Sequence, residues 1–332
     1  MNYSKKIRLI LFSLLFLSCF TENNTINIKG NALGTTYNIL LDTSEEKLSL
    51  SKSIDSIFDV INNSMSTYIE SSIISKVNEN IKTPVDEHFI NVFNKSKDVW
   101  KKSDKYFDPT VGTLVNAYGF GPEIILKNID NKSLDSLKSL VGWEKVLLND
   151  NNEIVKESKD IFIDFNAIAK GYSVDLIGEF LSKKEINNYL IEVGGEILTK
   201  GINKRTESIW TLGIQDPLDQ DQYIQTVKLS NIALATSGNY RKYRIDPKTG
   251  ERYVHTINPI TGLTSKNNTL SVSVVSKDCI TSDAWATALL TLDLDRGRAI
   301  VDQIESLDAL WIISVNEKVE IIKSKNWDKL TN

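Results

Sequence analysis

The hydrophobic period of the chain changes part-way along, and no other feature restricts the possible folds as much. Up to about residue 140 the apolar residues recur at helical spacing. Leu48, Leu50, Ile54, Ile57, Phe58 and Ile61 share one face over 46–63. Phe89, Val92, Phe93 and Trp100 do the same over 86–102, with Pro84 just ahead as a start signal. Shorter helices are expected over 110–117 and 133–140. From residue 161 onward, short apolar or alternating runs predict strands over 161–164, 189–193, 197–202, 210–215, 224–229, 232–236, 253–257, 270–275, 309–315 and 319–322. Helices remain credible there only over 167–183, 281–292 and 295–304. One or two further strands are expected over 26–41. Helices gathered in the first half, followed by neighbouring strands in the second, predict an α+β fold with a mixed or antiparallel sheet. A doubly wound parallel sheet does not fit. No repeat and no Pro-, Gly- or Ser-rich linker cuts the chain, so 26–325 reads as one unit, with room for two lobes around a cleft.

The front of the chain reads as an export signal. Lys5, Lys6 and Arg8 precede an apolar run over 9–17, broken only by Ser13 and too short to span a bilayer. Ser18-Cys19 closes the run and resembles a bacterial lipoprotein signal. The expectation is a signal peptide over 1–18, a lipidated Cys19, a short polar tether over 19–25, and a membrane-anchored protein, most simply on the periplasmic face of a bacterial inner membrane. Removing 1–18 takes three cations and no anion, which moves the net charge from −4 to −7. An acidic chain argues against general nucleic-acid binding. Cys279 is the other cysteine of two, so no disulfide framework supports the fold.

Three segments carry candidate chemistry. Asp164 follows the apolar run 161–163 and begins Asp164-Phe165-Asn166-Ala167-Ile168-Ala169-Lys170-Gly171, where the chain turns into a helix. A helix start offers free backbone N–H groups to an anion. Asp164 itself reads either as a ligand acceptor or as the cap of that helix, and for the residue alone the cap is the stronger reading. Lys170 is either a point charge near a phosphate or ring, or a solvated lysine. Ala167 can contribute only its backbone carbonyl. The second segment places Asp283 and Thr287 four apart on one helix, with both oxygens to one side and the small residues Ala284, Ala286 and Ala288 around them. A carboxylate, a hydroxyl and one carbonyl suit a hard cation such as Mg²⁺, although Asp283 can instead simply favour the helix dipole. The third gathers Tyr118-Gly119-Phe120, which can wall a flat aromatic ligand or be ordinary core and turn. Of the two histidines, His88 is expected on a charged surface. His255 ends a strand before a Pro/Gly turn and is the candidate acid–base or contact group. Two separated histidines with so few cysteines make no zinc site. Gly194-Gly195 and Ser237-Gly238-Asn239-Tyr240-Arg241 read as turns, or as places where backbone or hydroxyl approaches a ligand. Neither a G-x-G-x-x-G nor a Walker motif occurs.

In this order the pieces resemble the ApbE-type FAD:protein FMN transferases. The resemblance runs through Ala32-Leu33-Gly34-Thr35-Thr36-Tyr37, Met65-Ser66-Thr67-Tyr68, the segment 107–120, Asp164 to Asp175, Val193-Gly194-Gly195-Glu196, Ala235-Thr236-Ser237-Gly238, the segment 255–262 and the segment 282–287. Leu33 stands where the family often has methionine, and Asn166 where glycine or serine is common. The resemblance implies that 26–325 is a flavin transferase domain with FAD, as substrate, in the cleft. The isoalloxazine is then expected near Tyr118, Gly119 and Phe120, and the adenine toward Leu33 and Tyr68. Asp164 and Lys170 would contact FAD, and Mg²⁺ would sit between Ala167, Asp283 and Thr287. It also implies transfer of FMN to a Thr or Ser hydroxyl of an exported redox protein with release of AMP, His255 contacting a phosphate or taking the hydroxyl proton. An FAD pyrophosphatase and a non-catalytic FAD-binding lipoprotein are the competing readings.

Overall fold

A computed structural model describes residues 24–122, 129–219, 221–239, 243–245, 252–264, 267–316 and 318–331. The expected export signal, Cys19, Tyr240 and Arg241 lie outside the described residues.

The chain begins with a hairpin, β1 (Thr25–Ala32) and β2 (Thr35–Asp42), and then turns helical: α1 (Lys47–Met65), α2 (Ile73–Asn78), α3 (Glu87–Lys102), a 3₁₀ turn at Pro109–Val111 that runs into α4 (Gly112–Ala117), and α5 (Asn131–Lys138). A small hairpin, β3 (Val146–Leu148) and β4 (Ile154–Lys156), precedes α6 (Ala169–Lys183). Then follow β5 (Tyr189–Val193), β6 (Glu196–Lys200), β7 (Trp210–Gln215), β8 (Tyr223–Leu229), β9 (Ala233–Gly238), β10 (Tyr243–Ile245), β11 (Arg252–Val254) and β12 (Thr269–Ser276). Helices α7 (Cys279–Thr291) and α8 (Leu294–Val301), strands β13 (Asp308–Val315) and β14 (Lys318–Lys323) and a 3₁₀ turn at Trp327–Leu330 follow. Eight strands form one sheet in the order β1-β2-β5-β6-β9-β12-β13-β14, and every pairing in it is antiparallel. This is the α+β architecture that the sequence predicts.

Strand alternation sorts residues between the two faces of the sheet. In β13, Ala309, Trp311 and Ile313 join the large core under the helices, while Leu310 and Ile312 face a smaller cluster with Val227, Leu229 and Trp327. Helix α1 lays Leu50, Ile54, Phe58, Ile61 and Met65 inward at three- and four-residue spacing, which is why it forms without a side-chain cap. Helix α3 starts on a firmer local signal, because the Asp86 carboxylate accepts the Phe89 N–H at 2.8 Å.

Helix α7 is buried nearly all round. Ala284, Ala286 and Ala288 are fully enclosed, so they do not leave space for a ligand; their small size lets the helix sit against the sheet and α6. A second expectation also changes. Residues 161–164 lie extended but join no sheet. Side chains hold the middle of this stretch: Asn78 Oδ1 accepts the Ile163 N–H at 2.8 Å, Asn78 Nδ2 donates to the Ile163 carbonyl at 2.9 Å, and Thr113 Oγ1 accepts the Phe162 N–H, while the Asp164 N–H goes to the Pro109 carbonyl at 2.9 Å. Asn78 thus copies the paired bonds of a neighbouring strand, and a short apolar run gave no means of telling the two apart. His88 is half-buried rather than a surface residue, with Nδ1 3.0 Å from the Tyr172 hydroxyl.

Candidate active site

Asp164 ends the extended segment, 9% exposed. It does not cap α6. Its Oδ1 accepts the Asn166 N–H at 2.7 Å and its Oδ2 accepts Asn166 Nδ2 at 3.1 Å, closing a turn well before the helix starts. Burial raises its pKa, and the two bonds from Asn166 oppose that rise. The Asp164 charge also helps burial to raise the pKa of Tyr68. Tyr68 is 64% exposed, and its hydroxyl donates to the Phe120 carbonyl at 3.4 Å. The Phe120 ring meets the His255 ring edge-on at 6.4 Å between centroids, and the Tyr118 hydroxyl donates to the Gly262 carbonyl at 3.1 Å. Five of the expected residues (Tyr68, Tyr118, Phe120, Asp164 and His255) are therefore linked, with the segment 255–262 lying against 118–120.

The second group gathers where α6 meets α7. The first turn of α6 has Ile168 at its cap position and no side-chain cap of its own. Asp283 of α7 supplies the missing acceptor: its Oδ2 takes the Gly171 N–H at 2.9 Å. Among the described residues nothing donates to the Ala167 carbonyl, the position to which a regular helix would direct that N–H. Gly171 is required by proximity. A Cβ there would stand 2.4 Å from the Cys279 carbonyl oxygen and 2.7 Å from the Asp283 Cβ.

Lys170 is no solvated lysine. Its side chain is only 26% exposed, with Nζ 3.2 Å from Glu196 Oε1 and 3.7 Å from Asp283 Oδ1. Burial would depress its pKa, but the two carboxylates outweigh burial and hold the ammonium charged well above the usual lysine range. Glu196 is 3% exposed, and burial first, then the Asp283 charge, push its carboxyl up against the pull of Lys170. Its Oε2 is buried without a hydrogen-bond partner. Glu196 follows the Gly194-Gly195 turn, in which both glycines have positive φ. Thr287 Oγ1 lies 3.2 Å from Ser237 Oγ on β9. Leu33 occupies the β1–β2 turn at φ 51°, a strained value for leucine, and packs against both helical core clusters. Thr35 beside it fills the space where a Cβ on Gly194 would be.

Glu196 was not singled out as a site residue from the sequence, and Ser237 only within a segment read as a turn or a ligand contact; the structure puts it on β9. Glu196 carried a signal nonetheless, since a carboxylate directly after two glycines at a strand start is costly to bury without a partner, and Lys170 is that partner.

No group of three or more His, Cys, Asp or Glu side chains forms a metal cage among the described residues. The chemistry suits a different kind of site. Mg²⁺ keeps several waters and takes one or two carboxylates together with substrate phosphates. Asp283, Thr287 and the unbonded Ala167 carbonyl fit such an ion.

The ApbE family model matches residues 33–311. The chain belongs to the ApbE family. An FAD:protein FMN transferase of Vibrio cholerae is 32% identical over 316 residues, 92% of this chain and 93% of that one. Another, from Haemophilus influenzae, is 30% identical over 97% of this chain and 96% of its own length. A solved flavin transferase ApbE from Vibrio cholerae has the same architecture, with a TM-score of 0.84 and 30% identity over 92% of this chain and 99% of that chain. The match to the ApbE model takes in both groups of residues described above and most of the large sheet.

Proposed function

We propose that this ApbE-family chain is a Mg²⁺-dependent FAD:protein FMN transferase that acts on exported proteins. The enzyme class follows from the family and from its relatives, which are FAD:protein FMN transferases aligned over nearly their whole length. The observation that carries the finer reading is the buried cluster of Lys170, Glu196 and Asp283 where α6 meets α7, with the unbonded Ala167 carbonyl at the start of α6.

In this reading FAD lies with its ring by Tyr118, Gly119 and Phe120, its adenine toward Leu33 and Tyr68, and its diphosphate over the start of α6. Lys170 offers a charge to the diphosphate, and Asp164 accepts a hydrogen bond from the dinucleotide. Ala167, Asp283 and Thr287 would hold Mg²⁺, which supplies neutralisation of charge on the phosphate oxygens. A Thr or Ser hydroxyl of the acceptor attacks the phosphorus on the FMN side, the bond to the AMP phosphate breaks, and AMP leaves. His255 takes the hydroxyl proton. Positioning and charge stabilisation supply most of the acceleration in such a transfer. Lipidation of Cys19 and the tether over 19–25 would hold the enzyme at the membrane beside its exported acceptors.

The test is incubation of the purified chain with FAD, Mg²⁺ and a threonine-containing acceptor. A fluorescent acceptor band on a denaturing gel is the expected outcome. Free FMN and AMP with an unlabelled acceptor would mean that water is the nucleophile, and intact FAD would mean a carrier.

A further inference from the structure

Asp175 has no role in the transfer as described, yet it makes the tightest link between the two helices that carry the charge cluster. From the second turn of α6 its Oδ1 accepts the Cys279 N–H at 2.7 Å and its Oδ2 accepts the Ile280 N–H at 2.8 Å. These are the first two residues of α7. The N–H of Thr281, the third, is taken by the helix's own cap, Asp278, at 2.9 Å. Asp175 therefore satisfies from another helix two of the N–H groups that a helix start leaves open. It also sets a carboxylate at the positive end of the α7 dipole.

The arrangement is reciprocal. Asp175 of α6 caps α7, while Asp283 of α7 takes the Gly171 N–H in the first turn of α6. Between the two clasps the helices touch at Gly171, with no room there for a methyl group. One clasp is compromised by the proposed chemistry, because Asp283 would have to share its oxygens between Gly171 and the ion. The other lies clear of the cluster.

We infer that Asp175 is a positioning residue for the transfer: its clasp on the α7 N-terminus fixes the distance from the start of α6 to Asp283 and Thr287, and with it the affinity for the divalent cation. This rests on the ion site proposed above. Without Asp175, the polar ties between α7 and α6 among the described residues all run through Asp283, whose oxygens the cation competes for. The helices then gain freedom to slide, and the ligand set loses its preorganisation.

The experiment compares wild type with Asp175→Ala, Asp175→Asn and Lys95→Met. Lys95 also holds the start of α7, through Thr281 Oγ1 at 2.9 Å and Asp278 at 3.6 Å, but it reaches from α3 and leaves the α6–α7 spacing alone. Two quantities are read: the Mg²⁺ concentration for half-maximal transfer, and direct Mg²⁺ binding by calorimetry in the presence of ADP. Asp175→Ala is expected to weaken both about tenfold, or about 1.4 kcal/mol. Asp175→Asn keeps one acceptor oxygen and should weaken them about threefold, which preserves the test if the alanine variant fails to fold. Lys95→Met should lower Tm with Mg²⁺ affinity unchanged. Unshifted Mg²⁺ affinity in both Asp175 variants, with only Tm reduced, would overturn the inference and leave the ion site standing. A wild-type protein whose transfer and calorimetry show no Mg²⁺ dependence would overturn the ion site, and the inference with it.

Discussion

Replacing Gly171 with alanine tests the α6–α7 contact most sharply. The new Cβ would stand 2.4 Å from the Cys279 carbonyl oxygen, 2.8 Å from its carbonyl carbon and 2.7 Å from the Asp283 Cβ. The first of these falls about 1 Å short of ordinary van der Waals contact. Two of the three atoms are backbone and cannot rotate away, so the helices must part. Overpacking of this kind costs about 1–3 kcal/mol, and fixed neighbours put the expected cost at about 2–3. For a chain of this size that lowers Tm by roughly 3–5 °C. Parting the helices also carries Asp283 away from Ala167 and Lys170 by about 1 Å, a displacement able to cost on the order of a hundredfold in rate. Differential scanning fluorimetry and kcat/KM for AMP release measure the two effects. A variant with wild-type Tm and kcat/KM would refute the claim that this contact sets the site's geometry.

Asp283→Ala should abolish turnover and remove the Mg²⁺ requirement of any residual activity; full activity with normal Mg²⁺ dependence would refute its assignment as a ligand. Lys170→Met leaves Glu196 and Asp283 buried without their shared cation and should cost on the order of 3 kcal/mol of stability, measured by urea denaturation; an unchanged midpoint would contradict the cluster's energetics. Burial pushes the Asp108 carboxyl up to about 6 against hydrogen bonds from Thr110 and Trp143. The folded chain therefore holds that proton above the ordinary aspartate value, and stability falls as pH rises from roughly 4 to 6. Asp108→Asn should flatten that part of the Tm–pH curve, and parallel curves in the two proteins would show the assignment wrong. Cys19→Ala should release the protein from membranes with soluble transfer activity intact, whereas continued membrane fractionation would show that the anchor lies elsewhere.

The long elements were legible because their period is an intrinsic property of the residues. Helices α1 and α3 and strands β12 and β13 fall close to where the apolar spacing puts them. Among the short elements, α4 and α5 were expected but others were not. Helix α2 is six residues long, started by Ser72 capping Ser75, and β3–β4 has three residues to a strand. Neither is long enough to carry a period. At the site, Asp283 and Thr287 could be paired in advance because one helix carries both. Glu196 and Lys170 come from different elements, and so do Asp175 and Cys279. Their pairing depends on how α6 lies on the sheet and on α7, which local sequence does not encode. Asp164 misled in the opposite direction. Its residue type and position suit a helix cap, but the chain makes a turn first, and the capping carboxylate comes from residue 283.

The most direct test is a crystal of the protein grown with ADP and Mn²⁺, examined for anomalous scattering. The account predicts a single strong peak within bonding distance of the Ala167 carbonyl oxygen, the Asp283 carboxylate and the Thr287 hydroxyl, against the diphosphate. A bound nucleotide with its metal peak elsewhere, or with none, would contradict it.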